Sequence, residues 1–333
     1  MTLTEIEEKF DVQDIKINDI SIWPVIRIYL GDSIQFRADR TVKFSGRIFL
    51  LFIKSVFYGV SNYFKKFDYI YFTSTEQRKW IHGKYTDRGD YLNEFLNNGL
   101  CIELPMPAHL PKNKIASNQI ASRFPLIVAS QLVQLFVRPK WQHESLIKKI
   151  LASQPQSINY KKLAKRFLAD RLVMRYYLKR CQPRMIFLTA PYNAMGYVYA
   201  SKELGVKVVE FQHGIINRAH YAYGISKPLE RKCYPDYLLS FGSEVKKIFN
   251  NNHYINEEKV LPIGSFYIDH VADMHIDHPQ FKDLRNRYDR IVVVTLQDGY
   301  EEKMLPFLKS ATERCADIGF LFVPRHKHAE HYQ

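Results

Sequence analysis

A polar cluster follows one apolar segment of the chain, and its residue types could bind or activate a ligand. Residues 206–211 have the composition of a buried strand, and Gln212, His213 and Gly214 come directly after them. An imidazole can accept or donate a proton, and backbone N–H groups beyond a glycine can hold an anion. His213 is therefore a candidate catalytic group, with Gln212 and Gly214 as candidates for substrate binding. The alternative is that His213 only hydrogen-bonds its own loop.

Other polar residues could complete a site around this cluster. Glu210 could act as a base, although an acid within a strand could equally be buried with its hydrogen bonds satisfied. Asn217 and His220 follow in the next loop and could face a cleft or simply be solvated. Lys84 and Arg88 lie in a polar loop after an earlier predicted strand, so we include both as substrate-binding candidates.

Two strands and one helix must position His213. Residues 185–190 are a short β-rich run, residues 193–204 have helical spacing, and Gly205 ends that helix before the strand at 206–211. Together they predict a βαβ unit. In open parallel sheets, ligands bind outside the carboxyl ends of the strands, which is where the polar cluster falls.

The same alternation extends along most of the chain, and the predicted fold class is α/β with two Rossmann-like domains. Residues 1–64 are assigned to an N-terminal hairpin and an amphipathic helix, with the hairpin turn at Asn18 and Asp19. Residues 65–270 form the first domain, 271–288 the interdomain connection, and 289–333 the start of a second domain. Only two strands are predicted there, which cannot close a core, so we expect the sequence to be an incomplete version of a longer protein.

Composition limits the function classes. The chain has 333 residues, of which 48 are Lys or Arg and 34 are Asp or Glu, giving a formal net charge of +14. This balance favours an anionic partner, but the sequence has no recognised nucleic-acid motif, so no nucleic-acid partner is expected. The four cysteines lack metal-ligand spacing, and the N-terminus lacks a secretory signal. We therefore expect a cytoplasmic protein.

Two apolar stretches could meet a membrane surface. Residues 44–64 are rich in aromatic side chains and are bracketed by Lys and Arg, although Lys54 and two glycines make them a poor transmembrane span. Residues 124–137 are apolar but too short to cross. An interfacial helix at 44–64 would place the protein on an anionic membrane. The alternative is that both stretches are core helices covering a sheet.

With these elements placed, the chain resembles the two-domain GT-B glycosyltransferases of bacterial capsule and lipopolysaccharide assembly. The likeness spans about residues 65–328 and rests on the Gln-His-Gly cluster, the strand at 234–237, the Gly264-Ser265 turn and the second domain opening at Ile291. It is most similar to transferases using CMP-linked Kdo or sialic acid, and more remotely to CDP-glycerol glycerophosphotransferases.

The resemblance implies a nucleotide-sugar co-substrate, no metal cofactor, and a glycan or lipid-linked acceptor on the inner face of the cell membrane. By the same resemblance Gly264 and Ser265 would bind the nucleotide. A phosphate-binding element of the family resembles the segment with Arg325, His326 and His328, although Ala329 replaces its proline and leaves the matching histidine open. Asp298 resembles an acidic base of bacterial sialyltransferases, with Gln297 replacing a first acid.

Two other hypotheses about the function remain open. A polyol phosphotransferase with a CDP-glycerol-type donor would use the same membrane location and a neighbouring histidine pair. A non-catalytic membrane-docking assembly protein would use only the basic surface and the aromatic segment at 44–64. Identifying the nucleotide that the protein binds would distinguish these hypotheses. Thermal unfolding detects that binding, because a ligand that binds the native state raises its stability by mass action.

Overall fold

The computed structural model describes residues 1–35, 55–106, 108–154, 158–250, 252–272, 279–295, 301–315 and 317–323. The chain divides into two units, Met1–Tyr267 and Ile268–Gln333. Asp298, Arg325, His326 and His328 lie outside the described residues, so their proposed roles rest on the resemblance alone.

The strands in chain order are β1 (Lys16–Ile17), β2 (Ile20–Ser21), β3 (Tyr69–Ser74), β4 (Lys79–Ile81), β5 (Lys84–Thr86), β6 (Gly99–Leu104), β7 (Ile120–Ser122), β8 (Trp141–Gln142), β9 (Met185–Thr189), β10 (Lys207–Phe211), β11 (Tyr237–Ser240), β12 (Val260–Pro262), β13 (Arg290–Thr295) and β14 (Ile318–Val323).

The α-helices are α1 (Leu3–Lys9), α2 (Trp23–Gln35), α3 (Leu92–Phe95), α4 (Phe124–Phe136), α5 (Glu144–Ala152), α6 (Tyr160–Cys181), α7 (Met195–Glu203), α8 (Glu244–Phe249), α9 (Phe266–Ala272), α10 (Pro279–Arg287) and α11 (Glu301–Arg314).

A seven-stranded parallel sheet organises the first unit. Its strand order is β12-β11-β10-β9-β3-β6-β7. From β3 the chain moves outward through β6 and β7, and then returns to the other side of β3 with β9 and continues outward to β12. The strand order therefore reverses between β3 and β9, which is the topological switch point of a doubly wound sheet. The predicted α/β class and the βαβ unit before His213 are confirmed.

Apolar side chains cover both faces of this sheet, as expected for parallel strands. On β3, Ile70 and Phe72 pack against α6, whereas Tyr69 and Tyr71 point to the opposite face. Helices α4, α6 and α7 cover the first of these faces. Because the faces of the sheet are covered, a ligand can approach it at the carboxyl ends of the strands.

The N-terminal residues belong to the core of the first unit. The predicted hairpin is confirmed: β1 pairs antiparallel with β2, and the turn residues Asn18 and Asp19 have φ of 48° and 64°. Buried Glu7 accepts hydrogen bonds from Arg27 Nε at 2.6 Å and from Trp23 Nε1 at 3.0 Å. Because α1 and α2 share one apolar cluster with α5 and α6, they form part of the same unit.

Of the segment 44–64, residues 44–54 lie outside the described residues. The remainder ends in the 3-10 helix Val60–Phe64, in which buried Tyr63 donates a hydrogen bond of 2.6 Å to the carbonyl of Ser122. No helix within the described parts of the chain has the length and apolar character needed to cross a membrane.

Two regions differ in detail from the sequence prediction. The polar loop at 77–88 contains a small antiparallel hairpin, β4 and β5, in which the rings of Trp80 and Tyr85 lie 4.8 Å apart. Residues 122–179 have the composition of one long helical region, but in the structure they contain α4, the short strand β8, α5 and most of α6. In the second unit, β13 and β14 pair in parallel with α11 between them, so the predicted second α/β element is confirmed within the described residues.

Candidate functional site

A crevice of about 650 Å³ opens at the switch point of the sheet. Ser74 at the end of β3 and Thr189 at the end of β9 line its floor, and side chains of α4 and α6 form one wall. His213 lies at its rim. This is where doubly wound folds bind ligands, and the volume suits a small molecule.

His213 is the titratable group that the sequence placed here, and the structure brings it to the crevice. Its Nε2 atom lies 3.3 Å from the hydroxyl of Tyr192, which lines the same crevice. The ring is partly open to solvent, but surrounding protein desolvates it. This desolvation, with the positive charge of Arg88 and the neighbouring His220, lowers the pKa of His213 to about 4. The imidazole is therefore neutral at pH 7.

Gln212 fixes the loop that carries His213. Its side-chain Nε2 donates to the carbonyl of Gly214 at 2.9 Å, and its Oε1 accepts from the backbone N–H of Phe241 at 2.7 Å. Its own N–H donates to the carbonyl of Leu239. The side chain is buried and ties the loop to the end of β11, so Gln212 acts as a positioning residue.

Arg88 supports the same loop from the β3 side. Its guanidinium donates to the carbonyl of Gln212 at 2.6 Å and to Gln77 Oε1 at 3.2 Å. Burial lowers the pKa of Arg88, while the adjacent Asp87 acts to raise it. Lys84 is exposed on β5. The structure thus brings Arg88 to the Gln-His-Gly loop and leaves Lys84 on the outer hairpin.

A buried ion network anchors the segment that carries Arg88. Arg78 pairs with Asp90 at 3.0 Å and also with Glu103 at the carboxyl end of β6. Separating the members of a buried ion pair is unfavourable, because it leaves an uncompensated charge. This network therefore holds residues 78–90 against the sheet.

Glu210 lies one residue before the cluster but away from its surface. The side chain is fully buried, and its two oxygens accept hydrogen bonds from Tyr223 at 2.6 Å and Tyr254 at 2.5 Å. Burial raises the pKa of Glu210 to about 7, and the two hydroxyls act to lower it. We assign it to the core rather than to the reaction, because substrate cannot reach it.

The remaining candidates from the sequence are spread over the surface. Asn217 is exposed, and the ring of His220 stacks on Tyr221 with centroids 4.9 Å apart. His220 lines a second cavity of about 200 Å³ beside Arg27 and Arg218. Gly264, with φ of 79°, and Ser265 follow β12 at the outer edge of the sheet.

Sequence reasoning missed one wall of the crevice. Arg123 precedes α4, and Lys162 and Arg166 project from α6; we call these three residues the cationic wall. Asp170 also lines the crevice, and burial raises the pKa of its carboxyl group. The spacing of Lys162, Arg166 and Asp170 places them on one helix face, but such a face is usually solvated. Among the described residues, no group of His, Cys, Asp and Glu is placed to hold a metal ion.

No family model and no curated protein matches this sequence. Among solved structures, the UDP-GlcNAc 2-epimerase from Neisseria meningitidis bound to UDP-GlcNAc is similar, at 10% identity and TM-score 0.41 over 78% of this chain and 66% of that one. The S. aureus MnaA-UDP structure has 12% identity and TM-score 0.41, over 79% and 63%. This chain therefore spans slightly less than two thirds of either protein.

Proposed function

We propose that this chain is part of a GT-B type glycosyltransferase of capsule or lipopolysaccharide biosynthesis. It would transfer a sugar from a nucleotide-activated donor, with CMP-linked donors as the first candidates, to a glycan or lipid-linked acceptor. The observation that carries this proposal is the crevice at the switch point, which joins a neutral imidazole at its rim to a cationic wall. Sugar transfer requires a group that receives the acceptor proton and positive charge near the departing phosphate.

His213 is the residue to which we assign the acceptor hydroxyl. A neutral imidazole has a lone pair that accepts a hydrogen bond from that hydroxyl, and the Tyr192 hydroxyl 3.3 Å away helps to orient the ring. Desolvation and the positive charge of Arg88 oppose a charged imidazole. A bound anion would offset the charge of Arg88 and raise the pKa of His213, so the base strengthens when substrate is present.

The donor and the membrane belong to the same proposal. The resemblance assigns the nucleotide to Arg325, His326 and His328 and needs no metal ion. Exposed apolar side chains on α4, including Leu135 at 73% and Phe136 at 81% exposure, precede basic residues and support docking on the inner face of an anionic membrane. A lipid-linked acceptor would then share one surface with the enzyme.

Replacing His213 with Ala tests the assignment. In the complete protein, with CMP-sugar donors, we expect transfer to fall by about two orders of magnitude or more, as for loss of a preorganised catalytic group. Thermal unfolding should stay nearly unchanged, because the ring is partly exposed. His253→Ala, a substitution at an exposed histidine outside the crevice, is the matched control. Near-native turnover of the His213 variant would contradict the assignment.

A nucleotide screen tests the donor class. Thermal stabilisation by CMP, but not by CDP, UDP or GDP, supports a CMP-linked donor. Stabilisation by CDP alone favours the polyol phosphotransferase, and stabilisation by none of the four favours a non-catalytic docking protein.

A further inference from the structure

The lining of the crevice has an excess of positive charge. Its charged side chains are Arg123, Lys162 and Arg166, opposed by the single acid Asp170. His213 adds no charge at pH 7, because its pKa is lowered to about 4. A concave site with this balance attracts anions more strongly than an exposed surface does, because its low-dielectric walls weaken solvent screening.

Arg123 is held in place by its surroundings. Its guanidinium carbon lies 5.1 Å from the ring centroid of Tyr197 and 5.7 Å from that of Phe72, so two aromatic rings flank it. Its backbone N–H donates to the carbonyl of Glu103 at 2.8 Å. The buried Nε atom has no hydrogen-bond partner within the described parts of the chain. A buried donor of this kind is costly unless an acceptor reaches it.

Arg166 is half-exposed and has two partners. Its guanidinium donates to the hydroxyl of Tyr29 at 3.1 Å, and its Nε lies 3.6 Å from Asp170 Oδ2. The other oxygen of Asp170 accepts a hydrogen bond from Ser130 on α4. Asp170 thus ties α4 to α6 while it holds Arg166. Lys162 lies one helical turn before Arg166, on the same face.

The aromatic and acidic partners orient Arg123 and Arg166 before any ligand arrives. Fixed arginines suit phosphoryl oxygens, since a planar guanidinium offers parallel N–H donors, and a lysine adds a mobile point charge. The turn Pro191–Ala194 precedes α7, and its residues Asn193 and Ala194 line the crevice. The positive end of the α7 dipole therefore lies near the crevice.

We propose that the cationic wall is a subsite for a phosphoryl group of the substrate. Its place in a reaction rests on the proposed transfer function, but anion binding itself does not. The phosphoryl group could come from the nucleotide donor or from a phosphorylated acceptor, and both present the same oxygens to Arg123, Lys162 and Arg166.

The test is calorimetric titration of the full chain with inorganic pyrophosphate at low salt. Arg123→Ala and Lys162→Ala should each weaken binding by about tenfold, as for loss of a charge-assisted hydrogen bond. Lys165→Ala is the matched control, because Lys165 is exposed on the same helix but does not line the crevice. Lys162 is itself exposed, so its replacement should leave folding unchanged, which thermal unfolding verifies.

Absent pyrophosphate binding, or equal affinity in wild type and in the Arg123 and Lys162 variants, would overturn the subsite. Competition by CMP would support it and assign the phosphoryl group to the donor, whereas competition by glycerol 3-phosphate would support it and assign the group to the acceptor. Pyrophosphate binding that depends on these residues would leave the subsite standing even if the transferase proposal failed its own test with His213→Ala, so the two failures are distinguishable.

Discussion

Replacing Glu210 with Gln tests whether this residue is a structural acid of the core or a catalytic group. In the wild type, the buried carboxyl group is surrounded by apolar residues and two tyrosine hydroxyls, and burial raises its pKa from 4.5 to about 7. The protonated form is therefore favoured in the folded state. The stability that this group contributes is fully present below pH 4.5, and it is lost as the pH rises through about 7.

The difference between these two pKa values corresponds to ~3 kcal/mol. A glutamine cannot ionise, so the variant lacks this pH dependence while it keeps the size of the side chain. The free energy of unfolding of the wild type, minus that of Glu210→Gln, should consequently fall by ~3 kcal/mol between pH 4 and pH 8. Tyr254→Phe should enlarge the loss and extend it to higher pH, because the Tyr254 hydroxyl lowers the pKa of Glu210.

Urea denaturation at several pH values measures this difference, with Glu203→Gln as a control at a half-buried surface ion pair. Parallel stability curves for the wild type and Glu210→Gln would refute the reasoning. A transfer assay completes the comparison. We expect the variant to retain its activity, whereas a loss as large as that of His213→Ala would return Glu210 to the reaction.

Two further changes probe the packing of α7 against α6 and the membrane surface. A Cβ atom at Gly196 would lie 2.6 Å from Cβ of Asp170, so Gly196→Ala should destabilise the protein by about 1–3 kcal/mol in urea denaturation. Gly242→Ala, with nothing within 4 Å, should be neutral, and equal stability of both variants would contradict the steric argument. Liposome co-sedimentation should show binding to anionic vesicles that weakens with salt without vanishing. Replacing Leu135 and Phe136 with Ser should remove the salt-resistant part; negligible binding to neutral and anionic vesicles alike would exclude docking.

The sheet was predictable because its strands are short apolar runs bounded by turn residues. The hairpin at the N-terminus shows that a few residues can suffice to predict a pair of strands and the turn between them. Ile15 and Ile17 alternate in one phase, Ile20 and Ile22 in another, and only a two-residue turn between them joins the two phases. Asn18 and Asp19 adopt the positive φ that such a turn requires.

The β4–β5 hairpin escaped prediction because its side chains do not alternate between apolar and polar. Trp80 is half-exposed, and its main partner is the ring of Tyr85 on the facing strand. A cross-strand ring pair stabilises a hairpin without burying one face of it, so the sequence has no period to detect.

The cationic wall could not be inferred from its helix. Lys162 and Arg166 have the spacing of an ordinary solvated face, and many basic residues of α6 are indeed exposed. Their role depends on α4, whose Ser130 meets Asp170 across forty residues of sequence. Periodicity describes one helix at a time, whereas a crevice wall is a property of two.

The Gln-His-Gly cluster marks the opposite case, in which position was predictable but the division of roles was not. The strand rule alone placed all three residues at the open edge of the sheet. The structure assigns Gln212 to the scaffold, since its amide bridges the loop and the end of β11, while Arg88 reaches its carbonyl from the β3 side. The loop is therefore fixed from both neighbouring parts of the sheet. A catalytic His213 needs this rigidity, because a group gains its advantage from being oriented before the substrate arrives.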